Sequence, residues 1–305
     1  MILPVFISGY YLHCLVVEED PFKVVSSFVY KFPYVSNFSD SFITQNKLID
    51  AISDITKLKK INRDNLLVVS NSKQINNIDS DMILSEITSQ APILMCFLGQ
   101  YGQSDQSGLD NDEVNHLFTQ IYLREDLDEK VKLKIDTYKI KEFLNANIKN
   151  LKSVDQIVVC NDFASDSYKQ KIKGAFIFEL ASIIESPSAW GITFDYDYEL
   201  ILKLAYLINK QINLKDYISK SHELPDIKVL FAPNATDAEF SIVESDSKTH
   251  SGNQSMKIKQ DSINPIKVPA DSFIKLKLNG SKMHFAGEFN SGKDGLIIYS
   301  KGKIK

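Results

Sequence analysis

Apolar runs near the start of the chain, separated by short polar connections, predict three consecutive strands. The runs cover residues 2–8, 11–18 and 23–32; Gly9 lies in the first connection and Asp20-Pro21 in the second. Strands joined by such tight connections pair with their neighbours in opposite directions. We therefore expect this part of the chain to form an antiparallel meander of three strands.

The apolar pattern then takes the period of a helix. Apolar side chains in residues 44–60 fall on one helical stripe, and Thr44 stands where a helix N-cap is expected. The stripe consists of Leu48, Ile49, Ile52, Ile55 and Leu58. The next strand, residues 65–70, is apolar without alternation at its centre, as in strands that are buried on both faces. The first 70 residues therefore predict the order β-β-β-α-β.

A second α/β segment follows, and its central feature is a strand that leads directly into a helix. Residues 93–98 predict a further buried strand, and residues 136–149 an amphipathic helix. Strand 156–160 then passes through the junction 161–165 into an apolar helix over residues 168–185. Such a strand-to-helix junction is a common phosphate-binding place in α/β proteins, because the helix N-terminus presents free N–H groups.

From about residue 213 the pattern changes to short strands and polar turns. Asn279-Gly280 is a strong signal for a β-hairpin turn. We therefore predict an α/β fold in three parts: two α/β segments, residues 1–90 and 91–212, and a β-rich C-terminal domain, residues 213–305. The candidate strands of that domain are residues 229–231, 239–243, 255–258, 273–278, 282–285 and 296–299.

Composition and charge exclude some classes of partner. The chain has 305 residues and a formal net charge of −4, and its two arginines are Arg63 and Arg124. Because arginine is the usual reader of phosphate and guanine, we expect no specific nucleic-acid partner. From Met256 onward the chain contains ten lysines and four acidic residues. These lysines alternate with apolar residues, which predicts the solvated face of a small sheet, with docking to an anionic surface as the alternative.

The cysteines and the apolar runs bear on location. Cys14, Cys96 and Cys160 are far apart, and each lies in an apolar run, so we expect three buried free thiols. No apolar run reaches the roughly 18–20 residues of a membrane span. Residues 1–17 lack a basic segment and a cleavage site, which indicates a pair of core strands rather than a signal peptide. We therefore expect a cytoplasmic protein.

Candidate catalytic and metal-binding patterns are weak. The five histidines are scattered, no zinc-type spacing occurs, and residues 287–294 have the glycine and lysine spacing of a P-loop but place Asp294 where Ser or Thr is needed. A strand pattern follows those residues instead of a helix, so we predict a hairpin turn. The acidic run 195–199 is similarly interpreted as the N-terminus of a helix, where acidic side chains are favoured, although it could hold a cation.

The order of elements resembles that of actin-like ATPases with ribonuclease-H-like subdomains. Two variants are similar: PilM-type assembly ATPases, and the actin-like protein associated with glutamate mutase, which is related to hydantoinase and diol-dehydratase reactivating proteins. The second family ends in Gly-Leu-Ile-Ile-Asp-x-Arg-Gly-Arg-Pro, and residues 295–303 read Gly-Leu-Ile-Ile-Tyr-Ser-Lys-Gly-Lys. Residues 158–165 and 190–195 resemble its strand before the nucleotide loop and the next short strand. The resemblance implies two actin-like subdomains, 1–90 and 91–212, before the β-rich domain.

The three nucleotide-binding loops that this resemblance implies are degenerate. Only Gly9 remains of the first phosphate loop, where Ile7 replaces the magnesium-linked carboxylate. Gly99 opens the second loop, which lacks an acidic residue, and Asn161 and Asp162 stand where the family has the adenosine-side Gly-Gly. Gly9, Gly99, Asn161 and Asp162 are therefore the candidate cofactor-binding residues, and no catalytic or metal-binding residue is assigned.

The sequence thus predicts a non-catalytic actin-like scaffold or adaptor, a pseudoenzyme with an unidentified protein partner and no cofactor. The first alternative is a divergent ATPase of the reactivating or assembly type, which would need ATP and magnesium. The second alternative is a module that docks on a protein or a membrane through its basic C-terminal β-domain.

Overall fold

The structure is a computed structural model. It describes residues 2–8, 11–18, 23–31, 50–54, 57, 65–70, 74–75, 78–90, 93–98, 129–161, 165–195, 198–212, 225–243, 253–269, 272–280 and 283–301. The chain is mixed α/β, as the sequence predicts, and its contacts divide it into two compact units. Unit 1 comprises Met1–Pro92, Gly99–Lys132 and Tyr196–Ser221, and unit 2 comprises Ile93–Leu98, Leu133–Asp195 and His222–Lys305.

The helices and strands have the following bounds. The helices are α1 Leu84–Gln90, α2 Glu129–Ala146, α3 Ile148–Leu151, α4 Asp166–Ile183 and α5 Tyr198–Asn209. The strands of unit 1 are β1 Leu3–Ser8, β2 Tyr11–Glu18, β3 Lys23–Lys31, β4 Leu66–Ser70, β5 Gln74–Ile75, β6 Ile78–Asp79 and β7 Met82–Ile83. The strands of unit 2 are β8 Ile93–Phe97, β9 Gln156–Cys160, β10 Ser188–Asp195, β11 Ile227–Phe231, β12 Ala235–Val243, β13 Gln254–Lys257, β14 Ser262–Ile266, β15 Phe273–Gly280, β16 Met283–Asn290 and β17 Leu296–Ser300.

Unit 1 is built on a five-stranded sheet in the order β3-β2-β1-β4-β7. β1, β2 and β3 form an antiparallel meander, and β4 and β7 extend it with parallel pairings. The predicted meander is therefore confirmed. One face of the sheet packs on the short helical stretch at residues 50–54, through Ala51 and Ile52, and α5 packs against β1, β2 and β4.

Unit 2 is built on a six-stranded sheet in the order β14-β17-β11-β10-β9-β8. β8, β9 and β10 are parallel, β11 runs antiparallel to β10, and β17 lies between β11 and β14. α2 and α4 cover one face of this sheet. Their contacts with it include Ile140 and Phe176 on the helices and Ile157 and Ile192 on the strands, all of which are fully buried.

The other face of this sheet packs against a four-stranded antiparallel sheet in the order β13-β12-β15-β16. Leu230, Leu296 and Ile298 project from the six-stranded sheet into the shared core, and Ile274 and Leu276 project from the four-stranded sheet. On β15 the buried residues alternate with the exposed Lys275 and Lys277. Unit 2 thus has three layers: helices, a mixed sheet and an antiparallel sheet. The alternation confirms that these lysines lie on the solvated face of a small sheet.

The C-terminal residues 213–305 contribute to both sheets of unit 2. β11, β14 and β17 belong to the six-stranded sheet together with β8, β9 and β10, whereas β12, β13, β15 and β16 form the four-stranded sheet. In the six-stranded sheet no three neighbouring strands are all antiparallel as β1, β2 and β3 are, because β17 is antiparallel to β14 but parallel to β11. The domain boundaries at residues 90 and 212 stay predictions. Strands from both sides of residue 212 are hydrogen-bonded to each other, since β10 pairs with β11.

The hairpin expected at Asn279-Gly280 is present, two residues later than the signal suggests. β15 pairs with β16 so that Gly280 faces Met283, and residues 281–282 connect them. Gly280 is needed for a different reason: a Cβ atom at this position would collide with the backbone carbonyl oxygen of Asn234. A neighbouring backbone segment therefore occupies the space of the missing side chain.

Gly280→Ala is expected to lower the free energy of unfolding by about 3 kcal/mol, because the new methyl group forces the Asn234 backbone to move. The measurement is equilibrium unfolding in urea. Gly174→Ala is the matched control, since no atom beyond its chain neighbours and the backbone of α4 itself lies within 4 Å of its Cβ position. The control should raise stability by roughly 0.5–1 kcal/mol, as alanine does inside a helix. Equal stability of the two variants would contradict the close contact at Gly280.

Candidate functional site

The junction between β9 and α4 lies at the carboxyl edge of the parallel strands of unit 2. β9 is apolar and buried, and Asn161 follows its last residue. α4 begins at Asp166, and Ser165 caps it: the Ser165 hydroxyl oxygen accepts a hydrogen bond of 3.1 Å from the Tyr168 backbone N–H. The side chain of Ser165 therefore already satisfies one of the free N–H groups of this helix N-terminus.

A buried polar network ties this junction to α2. The Asp136 carboxylate accepts a hydrogen bond of 3.1 Å from the Asn161 side-chain amide and one of 2.5 Å from the Tyr168 hydroxyl. Asp136 and Asn161 are fully buried, and Tyr168 is 1% exposed. Because the three residues come from α2, the end of β9 and the first turn of α4, one carboxylate fixes the relative position of three elements.

The Asp136 carboxylate also affects the thiol of Cys96 on β8. Cys96 on β8 is buried, and burial raises the pKa of its thiol well above the usual value; the negative charge of Asp136 raises it further, while Lys139 acts in the opposite direction. The thiolate is the reactive form of cysteine, so this thiol is chemically inert at neutral pH. Cys14 and Cys160 are buried free thiols as well, which confirms the prediction for all three cysteines.

An ionic cluster lies at the same edge of the sheet, around the start of β11. The Asp226 carboxylate accepts a hydrogen bond of 2.7 Å from the Phe194 backbone N–H, and Lys169 of α4 lies 3.7 Å from it. One helical turn further along α4, Lys173 forms a salt bridge of 3.0 Å with Asp294. These contacts attach α4 to the residue before β11 and to the turn before β17, and they engage lysines that an anionic ligand would need.

The chemistry of the junction therefore favours a structural role. Asn161, one of the predicted cofactor-binding residues, turns its amide into the protein towards Asp136. Asp166 places a carboxylate in the first turn of α4, where it opposes binding of another anion. The other predicted residues, Gly9, Gly99 and Asp162, lie outside the described residues.

The sequence interpretation missed Asp136 and Tyr168 as partners of the junction. A signal was available for Asp136, because it lies four and eight residues before Ile140 and Leu144 on the apolar stripe of α2, and all three are buried. A single acidic residue on such a stripe needs a buried hydrogen-bond donor. The sequence could not show that Asn161, 25 residues away, supplies it.

The stretch that resembles a P-loop is a turn between strands. Gly292 and Gly295 exchange two backbone hydrogen bonds of 3.1 Å, and β17 follows directly. A turn followed by a strand is confirmed, and the absence of a helix after it excludes a P-loop, but the prediction that this turn is a hairpin is wrong. The turn does not close a hairpin, because β16 and β17 belong to different sheets. The acidic run likewise leads into a helix: Glu199 lies in the first turn of α5 and pairs with Lys203 at 2.9 Å.

The described residues contain neither a metal-binding cluster nor a membrane-spanning helix. Among them, no group of three or more His, Cys, Asp or Glu side chains is placed to hold a metal ion. No helix in the described part of the chain is both long enough and apolar enough to cross a membrane. A scan against protein-family models and a search of curated proteins found no match for this chain.

Proposed function

We propose that this protein is a non-catalytic scaffold or adaptor whose first unit has an actin-like, ribonuclease-H-like strand order. The order β3-β2-β1-β4-β7, with an antiparallel meander extended by parallel strands, supports the proposal. The six-stranded sheet has a different order, so the proposal of an actin-like fold rests on unit 1. The buried free cysteines favour a reducing compartment, and we propose the cytoplasm as the location.

The observation that carries the non-catalytic part of the proposal is the inward orientation of Asn161. A nucleotide site at this junction would need backbone that approaches the ligand and a helix N-terminus open to phosphate. Instead the Asn161 amide is bound to Asp136, and Ser165 caps α4. This arrangement stabilises the junction and leaves neither the Asn161 amide nor the capped N–H group for a phosphate, which supports a non-catalytic role.

Docking of the C-terminal region on an anionic surface has less support than the sequence suggests. Strand β12 places Glu239 opposite Lys277, and β16 places Glu288 opposite Lys275. The lysines of β15 are therefore flanked by carboxylates from neighbouring strands, and the outer face of the four-stranded sheet carries both signs of charge. A mixed face of this kind suits a protein partner better than nucleic acid or an anionic membrane.

The test of this proposal is calorimetric titration of the full chain with ATP and with ADP, each with and without magnesium. We expect no saturable heat up to about 1 mM nucleotide, which corresponds to binding weaker than about −4 kcal/mol. Magnesium-dependent, saturable binding at micromolar concentration would overturn the proposal and favour the divergent ATPase. In that case Gly9→Val and Gly99→Val should weaken the binding, whereas Gly174→Ala should leave it unchanged.

A further inference from the structure

The outer face of the four-stranded sheet contains an open cavity of about 450 Å³. Charged side chains from three strands border it: Glu239 on β12, Lys275 and Lys277 on β15, and Glu288 on β16. Ser241 and Ala286, whose side chains are small, also line it and leave the space between the charges open. The volume lies within the range of pockets that bind small molecules, roughly 300–1,000 Å³.

A packed core supports this cavity from below. Phe240, Leu276 and Leu278 alternate with the outward-facing charged and small residues, and their side chains are buried against the six-stranded sheet. The pairings of β12 and β16 with β15 run without interruption past the cavity. The sheet therefore fixes the backbone positions of the charged residues and with them the spacing of their side chains along and across the strands.

Of the four charged side chains around the cavity, two form a salt bridge with each other and two do not. Lys275 forms a salt bridge of 3.3 Å with Glu288. Lys277 and Glu239 face each other across the strands, yet neither makes an ion pair with any residue in the described part of the chain. Directly opposed residues have Cβ atoms roughly 4.5–5.5 Å apart. The cavity thus offers one ammonium group and one carboxylate, side by side.

We propose that this cavity binds a small zwitterion, of which a free α-amino acid is the simplest example. The carboxylate of the ligand contacts Lys277, its ammonium group contacts Glu239, and its side chain lies over Ser241 and Ala286. A simple anion meets Lys277 but is repelled by Glu239 and Glu288, and a simple cation meets Glu239 but is repelled by the two lysines. Only a ligand that carries both charges on neighbouring atoms matches both groups.

This inference goes beyond the proposed function and is tested separately, because no nucleotide is involved. The experiment follows backbone amide resonances of the ¹⁵N-labelled full chain during titration with glycine and alanine, and in parallel with acetate and methylammonium. We expect saturable shifts on β12 and β15 with a dissociation constant of about 1–10 mM for the zwitterions. The two singly charged ions should bind about tenfold more weakly.

Variants distinguish recognition by these two residues from general ionic effects. Lys277→Gln and Glu239→Gln should each weaken glycine binding about tenfold, and the exchange Glu239→Lys with Lys277→Glu should restore it with the ligand reversed. Lys259→Gln, an exposed lysine outside the cavity, should bind as the unchanged protein does. Unchanged melting temperatures show that these exposed substitutions leave the fold intact.

Three results would overturn the proposal. One is the absence of saturable shifts at about 50 mM glycine, which is well above the expected dissociation constant. Another is binding of acetate or methylammonium as tight as that of glycine. The third is a loss of affinity in Lys259→Gln equal to that in Lys277→Gln, which would mean that the shifts report ionic strength rather than the cavity.

Discussion

Asp136→Ala is expected to lower the free energy of unfolding by about 3–5 kcal/mol. The substitution removes the acceptor of two buried hydrogen bonds, and the Tyr168 hydroxyl and the Asn161 amide then remain in the core without the partner that now accepts from them. Burying an unmatched donor costs the full desolvation of that group. The measurement is equilibrium unfolding in urea, followed by circular dichroism.

Two further variants separate the buried network from general effects on α2. Asp136→Asn keeps one acceptor oxygen in place, so we expect it to lose roughly half as much stability as Asp136→Ala. Glu142→Ala removes an exposed carboxylate from the same helix and should change stability by less than about 0.5 kcal/mol. If Asp136→Ala unfolded at the same urea concentration as Glu142→Ala, Asp136 would not hold the junction together.

Stability is also expected to fall by about 3 kcal/mol between pH 6.5 and pH 4 through His13 alone. His13 on β2 is 3% exposed, and burial lowers its pKa from 6.5 to about 4. Above pH 6.5 the imidazole is neutral in both the folded and the unfolded chain, and its effect on stability is constant. As the pH falls through this window, the unfolded chain takes up a proton that the folded chain does not, so stability is lost; below pH 4 both are protonated.

The measurement is the urea midpoint as a function of pH, compared with His13→Leu. The partners of His13 across the sheet are Phe6 and Val29, which carry no charge, so the difference between the two proteins reports the imidazole. Carboxylates titrate in both proteins, so their contribution to the pH dependence of stability cancels in the difference between the two. Parallel pH profiles of the two proteins from 6.5 to 4 would show that the folded chain accommodates the charged imidazole.

Local patterns predicted the parts of the fold that local physics decides. The meander of β1, β2 and β3 follows from apolar runs and tight connections, and the structure has it at the predicted place. The strand before Asn161 and the apolar helix after it are also present, as β9 and α4. In each case the residues that specify the element lie within or directly beside it.

The sequence patterns did not predict which distant parts of the chain contact each other. Nothing near Gly280 indicates that the Asn234 backbone occupies its side-chain space, so the glycine suggested a turn rather than a close contact. Similarly, Asn161 suggested a degenerate loop, whereas its role depends on Asp136 of another helix. A single sequence specifies which residues are polar or small, but the partner that explains each of them comes from the tertiary fold.

The strand and the helix of the junction were predicted at the right place in the chain, whereas cofactor binding by its residues stays a prediction. A strand-to-helix junction does lie at the carboxyl edge of the parallel strands of unit 2, and Ser165 caps the helix. The prediction that the loops are degenerate rested on missing glycines and carboxylates. The structure shows for one of these positions that the Asn161 side chain is part of the core.

The position of β17 has a consequence for the order in which unit 2 forms during synthesis. β17 lies between β11 and β14 and pairs with both, although about 60 residues separate it from β11 along the chain. While a ribosome is still producing residues 296–300, β11 and β14 have no strand to join them, and an apolar edge stays open. The six-stranded sheet is therefore completed only after its last strand has been translated, and until then the apolar edge of β11 is exposed to aggregation.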